Sequence, residues 1–266
     1  MTDISGSFDI EVEFVGGLSP EQERAFDAAA ARWSRIIVAD LPSFTVQGRT
    51  IDDCSITAQG SVIDGPSGIL GEAGPRMWRD DTLLPALGVM RFDTADLIRM
   101  EGDGSLENVV FHEMGHVLGL GTLWQEMGLL QDAGSINPTF VGRAAMREFG
   151  KLIGADGPRP VPVENKGGPG TRDGHWRETV FGNELMTGIL DASENPVSRL
   201  TIAAMQDMGY TVSFGNADEF TLPTALDLAL MGVGATQHPQ GCMMAGSGRR
   251  GTGPQVRPVA VEGGAR

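Results

Sequence analysis

Residues 111 to 124 read FHEMGHVLGLGTLW, and within them His112, Glu113 and His116 form an H-E-x-x-H motif. On a helix, positions i and i+4 share a face about one turn apart, so both imidazoles can reach one Zn²⁺, and Glu113 stands where it can polarise water at the metal. The helix itself is read from an apolar stripe, Leu106, Val109, Val110, Met114, Val117 and Leu118, which Gly119 and Gly121 end within a turn of His116. The motif helix is therefore expected over 105–119, with a metal at its end. A zinc hydrolase is the leading reading. A catalytic zinc takes three protein ligands and keeps a fourth position open, so a third ligand must come from elsewhere.

Only His175 and His238 remain among the four histidines. His238 lies in QHPQGCMMAGSGRRGTGPQ, which is Gly-rich and aperiodic, a poor frame for a ligand. His175 lies in DGHWRETVFGNELMTG, with Met186 eleven residues later in an E-L-M-T-G turn. Glu126 and Asp132 are the acidic alternatives.

In the metzincin peptidases the third His usually follows the second by six residues, after a Gly. Gly119 fits that pattern, but Thr122 occupies the place of the His. The chain resembles the leishmanolysin-type branch, in a short bacterial-like form. There a long insertion separates the motif helix from a third His followed by Trp, and an N/D-E-L-M segment carries the Met-turn. The resemblance runs over residues 8–215. It implies zinc on His112, His116 and His175, Glu113 as general base, and Met186 as an apolar floor that does not bind metal. Trp176 and Gly119 match as well. The chain departs from the family in its shorter length, its few cysteines and the absence of an obvious pro-segment. Gly188 stands where several metzincins carry a Tyr.

Residues 64–75, DGPSGILGEAGP, and the later Arg91-Phe92-Asp93-Thr94-Ala95-Asp96 resemble the calcium loop of matrix metalloproteinases. That likeness implies a structural Ca²⁺ held by carboxylates of Asp64, Asp93 and Asp96 and by backbone oxygens of Gly65, Ser67 and Ile69, a hard oxygen set suited to that ion. Read without the likeness, DGPSG is a turn and FDTAD a strand end. Glu72 and Arg91 stand where that branch has histidines for a second zinc, so none is expected.

The 266 residues are 41% hydrophobic, enough to bury a sizeable core. The fold class expected is α+β: a metzincin-like catalytic domain over 1–235, with a twisted mixed sheet and the active-site helix in an upper lobe (8–121) and a smaller irregular lobe (122–215). The segment 236–266 is expected to be a disordered tail. The net charge is −15, and the tail carries four Arg against one Glu, leaving −18 for the rest. Nucleic acid is an unsuitable partner for such a surface. The start is polar, without a signal-peptide core, and no apolar run reaches transmembrane length. The expectation is a soluble monomer, cytoplasmic or exported without a leader. Cys54 and Cys242 exclude a disulfide framework.

Along the chain, residues 8–15 alternate as a half-buried strand. Ser19 and Pro20 start a helix with a stripe of Phe26, Ala30, Trp33 and Ile37. Further strands are expected at 47–58 and 87–93, a sheet edge at Ile69, Leu70, Gly71 and Glu72, a helix near 140–152, a loop over 154–174, and a helix from Val197 to Met208. An extended peptide substrate would pair with that sheet edge, which favours an endopeptidase. A zinc module that holds a peptide without cutting it, and a hydrolase of non-peptide amides, remain as other readings of the same motif.

Overall fold

The computed structural model describes residues 7–65, 70–168, 170–190, 194–231 and 243–244. The first strand, β1 (Ile10–Phe14), buries Ile10 and exposes Glu11 and Glu13, as its alternation dictates. Helix α1 (Pro20–Ile36) begins with a capping box: Ser19 Oγ accepts from the Gln22 amide, and the Gln22 side chain accepts from the Ser19 amide. Its buried face carries Phe26, Ala29, Ala30, Trp33 and Ile36.

The expected strand over 47–58 is two strands in different sheets. β2 (Phe44–Val46) and β3 (Arg49–Ile51) form an antiparallel hairpin, whereas β4 (Cys54–Ser61) joins the main sheet. The break falls at Asp52–Asp53, where the Asp53 carboxylate accepts the backbone N–H of Leu41 and of Asp9. Those bonds fix the chain as it turns from one sheet to the other.

With β5 (Gly71–Trp78), β6 (Pro85–Asp93) and β10 (Met243–Met244), the main sheet has the order β1-β4-β6-β5-β10. Strands β1, β4 and β6 run parallel, β5 is antiparallel to β6, and β10 lies parallel on the outside of β5. The mixed α+β fold is thus as the sequence implied. The anticipated disordered tail falls outside the described residues, as does Cys242, except for the two residues of β10.

FDTAD is a strand end only through Asp93, where β6 stops; residues 94–103 form helix α2 (Thr94–Asp103). The Asp93 carboxylate caps it by accepting from the Ala95 amide, and Gly104, at φ 79°, ends it in the left-handed region that suits glycine. Helix α3 (Leu106–Val117) carries the motif and is buried on nearly every side, between α1 and the sheet. Its approach to the sheet is close at Gly88, where a Cβ would stand 2.1 Å from Val117 Cγ1.

The second half holds a small antiparallel sheet, β7 (Leu130–Gln131), β8 (Thr139–Phe140) and β9 (Val161–Pro162), with helices α4 (Arg143–Leu152), α5 (Glu178–Phe181), α6 (Arg199–Met208) and α7 (Ala225–Leu230). The Asp207 carboxylate on α6 accepts the Ala144 and Ala145 amides, joining α6 to the start of α4. Trp124, Phe140, Trp176 and Phe181 pack as an aromatic cluster. No described helix is long and apolar enough to cross a membrane.

Candidate metal centre

His112 and His116 face the same way from α3, and the loop before α5 brings His175 to them. Their Nε2 atoms lie 3.0 Å (His112–His116), 3.0 Å (His116–His175) and 3.3 Å (His112–His175) apart. Each Nδ1 faces a backbone carbonyl: Leu185 O at 2.6 Å for His112, Leu120 O at 2.8 Å for His116 and Thr171 O at 2.9 Å for His175. A carbonyl only accepts, so each Nδ1 carries the hydrogen and each Nε2 keeps its lone pair.

Three lone pairs aimed at one point repel unless a cation lies between them. Zn–N distances near 2.0–2.1 Å in a tetrahedral site imply N···N separations of about 3.3 Å, close to those found. The donor set therefore fits zinc. All three rings are fully buried. Burial, above all, pushes the His112 pKa down to about 3 and the His175 pKa down to about 4, and holds His116 well below its ordinary value. The rings are neutral at pH 7, the state that binds metal. Glu113, beside His112 on α3, is also fully buried.

Thr122, in the usual place of the third ligand, works as a cap: its Oγ1 donates to His116 O at 2.7 Å, a carbonyl at the helix end. Tyr210 donates likewise to Leu118 O at 3.0 Å. The turn after α3 runs hard against the His175 loop, because a Cβ at Gly121 would meet Gly174 O at 1.9 Å. The loop is also tied by Glu164, whose amide donates to His175 O at 2.8 Å and whose carboxylate accepts the amides of Asn165, Lys166 and Glu178.

Met186 lies under the motif helix: a Cβ at Gly115 would stand 3.0 Å from its sulfur. Its amide donates to Glu184 Oε2 at 2.7 Å. The other oxygen of Glu184 accepts from Ser198 Oγ at 2.6 Å and from Thr201 Oγ1 at 2.5 Å, and Trp176 Nε1 donates to the same Thr201 hydroxyl at 2.8 Å. One buried acid thus joins the turn at Met186, the residue after His175 and the start of α6. Burial raises its pKa despite these donors. Sequence reading passed over Glu184 and Glu164; an acid inside an otherwise apolar E-L-M turn was the available signal.

Among the described residues, the expected calcium carboxylates do not converge. Asp93 Oδ2 accepts the amides of Ile63, Asp64 and Gly65, and its Oδ1 accepts that of Ala95, so both oxygens serve as caps. Those N–H donors, that of Ile63 foremost, lower its pKa. Asp96 turns to Arg99 at 3.3 Å. Among the described residues, metal-competent groups converge at His112, His116 and His175 and at Asp40, Asp52 and Asp53, but not at Asp64, Asp93 and Asp96. Ser67 and Ile69 lie outside the described residues. In the second convergent group Asp53 is already committed to Leu41 and Asp9. Of the expected substrate edge, Leu70, Gly71 and Glu72 lie at the start of β5, and the outer side of β5 carries β10 at Glu72 and Ala73.

The sequence pattern that defines leishmanolysin matches residues 76–229, a span that includes the three histidines, Glu113, Glu184 and Met186. A leishmanolysin homolog from Crithidia fasciculata is 29% identical over 147 residues, which cover 50% of this chain and 21% of that protein. The chain thus spans about a fifth of that relative's length. Since the match covers more than half of the chain and contains the whole histidine cluster, this protein belongs to the leishmanolysin family of metallopeptidases.

Proposed function

We propose that this chain is a zinc-dependent metalloendopeptidase that hydrolyses peptide bonds of proteins with Glu113 as general base. One observation carries the reading: three buried neutral imidazoles bring their Nε2 atoms within 3.3 Å of one another, and Glu113 follows His112 on the same helix. His112, His116 and His175 would hold the metal. Zinc bound there supplies Lewis acidity, which makes water nucleophilic at neutral pH and polarises a substrate carbonyl.

Glu113 takes the proton of the attacking water and passes it to the leaving amine. The carbonyls of Leu185, Leu120 and Thr171 keep the three rings in the metal-binding tautomer and orientation. Met186 gives the site an apolar floor, in the manner of a metzincin Met-turn. An extended peptide would pair with the outer edge of β5 around Leu70, Gly71 and Glu72. Main-chain pairing reads no free terminus, which favours internal cleavage.

Cleavage of unfolded casein, abolished by a chelator and by Glu113→Ala with metal retained, is the expected result. One equivalent of zinc without cleavage of any peptide library would instead indicate a peptide-holding module. Cleavage of non-peptide amides alone would indicate an amidase.

A further inference from the structure

The outer edge of β5 already carries a strand of the chain itself, β10. Met243 pairs with Glu72 and Met244 with Ala73, in parallel. Leu70 O accepts from Asp93 N across the sheet, and backbone groups alternate sides along a strand. The outward groups at this end of β5 are therefore those of Gly71 and Ala73. A strand edge offers each N–H and C=O once, so two strands cannot occupy it together. We infer that the segment around Met243–Met244 competes with extended substrate for the β5 edge, so that the full chain is restrained by its own C-terminal strand. This inference rests on the endopeptidase reading of that edge.

Two features make a two-residue strand effective. It is tethered: β10 follows α7 closely in the same chain, and a tether of limited length gives an effective local concentration on the order of millimolar. It is also drawn electrostatically, because residues 236–266 carry four Arg against one Glu while the remainder of the chain is strongly acidic. A weak contact held at that concentration competes with substrates present at micromolar levels, and a tightly binding substrate displaces it.

The test uses the full chain carrying Met243→Pro and Met244→Pro. Proline has no N–H to give to a ladder, and with both positions changed the pairing is lost whichever residue donates. Amide exchange at Ala73, whose N–H faces Met243 O in this register, should quicken in this variant. In a Glu113→Ala background, which removes turnover, labelled unfolded casein should bind several-fold more tightly with the two prolines than without. In the Glu113 background the gain should appear as a lower KM with kcat little changed. Unchanged exchange at Ala73 would overturn the pairing. Faster exchange with unchanged casein affinity would overturn the competition. If casein affinity responds but neither chain cleaves casein, the C-terminal strand stands and the endopeptidase reading fails.

Discussion

Gly121 and Gly174 meet through their backbones: a Cβ on Gly121 would lie 1.9 Å from the Gly174 carbonyl oxygen, at a φ of +73°. The turn that ends the motif helix therefore sets the position of the residue before His175. Gly121→Ala should cost about 2–4 kcal/mol, from overpacking and left-handed strain together. It should also weaken zinc binding by more than about tenfold, since a 1.4 kcal/mol share of that cost already gives this factor. Gly104 has φ +79° and open space around it, so Gly104→Ala isolates the strain at about 1 kcal/mol and leaves zinc affinity unchanged. Denaturant melts and chelator competition read the two effects separately.

His175→Ala removes one of three donors and should lower zinc affinity at least about a hundredfold, together with casein cleavage. His238→Ala should leave both as they were. Full zinc stoichiometry and activity in His175→Ala would send the search for a third ligand to Glu126 and Asp132.

Glu184→Ala leaves two hydroxyls and two amides facing a hole in a fully buried place. The expected cost is about 3 kcal/mol or more. Glu184→Gln keeps the shape but turns an NH₂ toward existing donors, and should recover only part of it. Urea midpoints check the stability, and zinc stoichiometry in the folded variants checks whether the turn at Met186 matters to the histidine cluster.

Added Ca²⁺ at fixed zinc should not move the melting temperature, because Asp93 spends its oxygens on four amides. Asp93→Asn should lower stability by about 1–3 kcal/mol, through loss of charge-assisted bonds in the 63–65 turn and at the start of α2.

Acid should open the metal-free protein. The histidine pKa values are depressed in the folded state, to about 3 for His112 and about 4 for His175. The unfolded chain therefore takes up protons first, so this contribution to stability is whole above about pH 6.5. It is lost as pH falls from there toward the folded values, at up to about 1.4 kcal/mol per pH unit for each ring. Zinc affinity should fall over the same range, since protons compete for Nε2. Thermal melts and zinc titrations from pH 8 to 5 measure both.

Much of this was legible because the deciding patterns are local. The i,i+4 histidines, the Ser19 cap and the stripes of α1, α3 and α6 depend on near neighbours, and the structure has them where the periodicity put them. The third histidine followed from a count of four and a family likeness. The misreadings have physical causes. Asp93 with Thr94, Ala95 and Asp96 is a helix start with an acid in the first turn, a local signal outweighed by a short resemblance to a calcium loop. The break at Asp52–Asp53 depends on Leu41 and Asp9, which no periodicity reveals. Glu184 gains its role from Ser198 and Thr201, 14 and 17 residues away. β10 lies in an aperiodic Gly-rich stretch, where pairing depends on an edge supplied by a distant strand.

The span from His116 to His175, 59 residues long, becomes a closed ring once an ion joins its ends. By the loop-entropy relation used for disulfides, closing a ring of that size restricts the unfolded chain by roughly 4 kcal/mol. The main sheet is held by its own ladder and needs no such clasp. Trp124, Phe140 and the small sheet of β7, β8 and β9 lie inside the ring. Chelation should thus leave the sheet layer standing while the ring between 122 and 174 opens to nicking by added trypsin. In a protein whose one described thiol, Cys54, is buried and unpaired, the metal would be both reagent and staple.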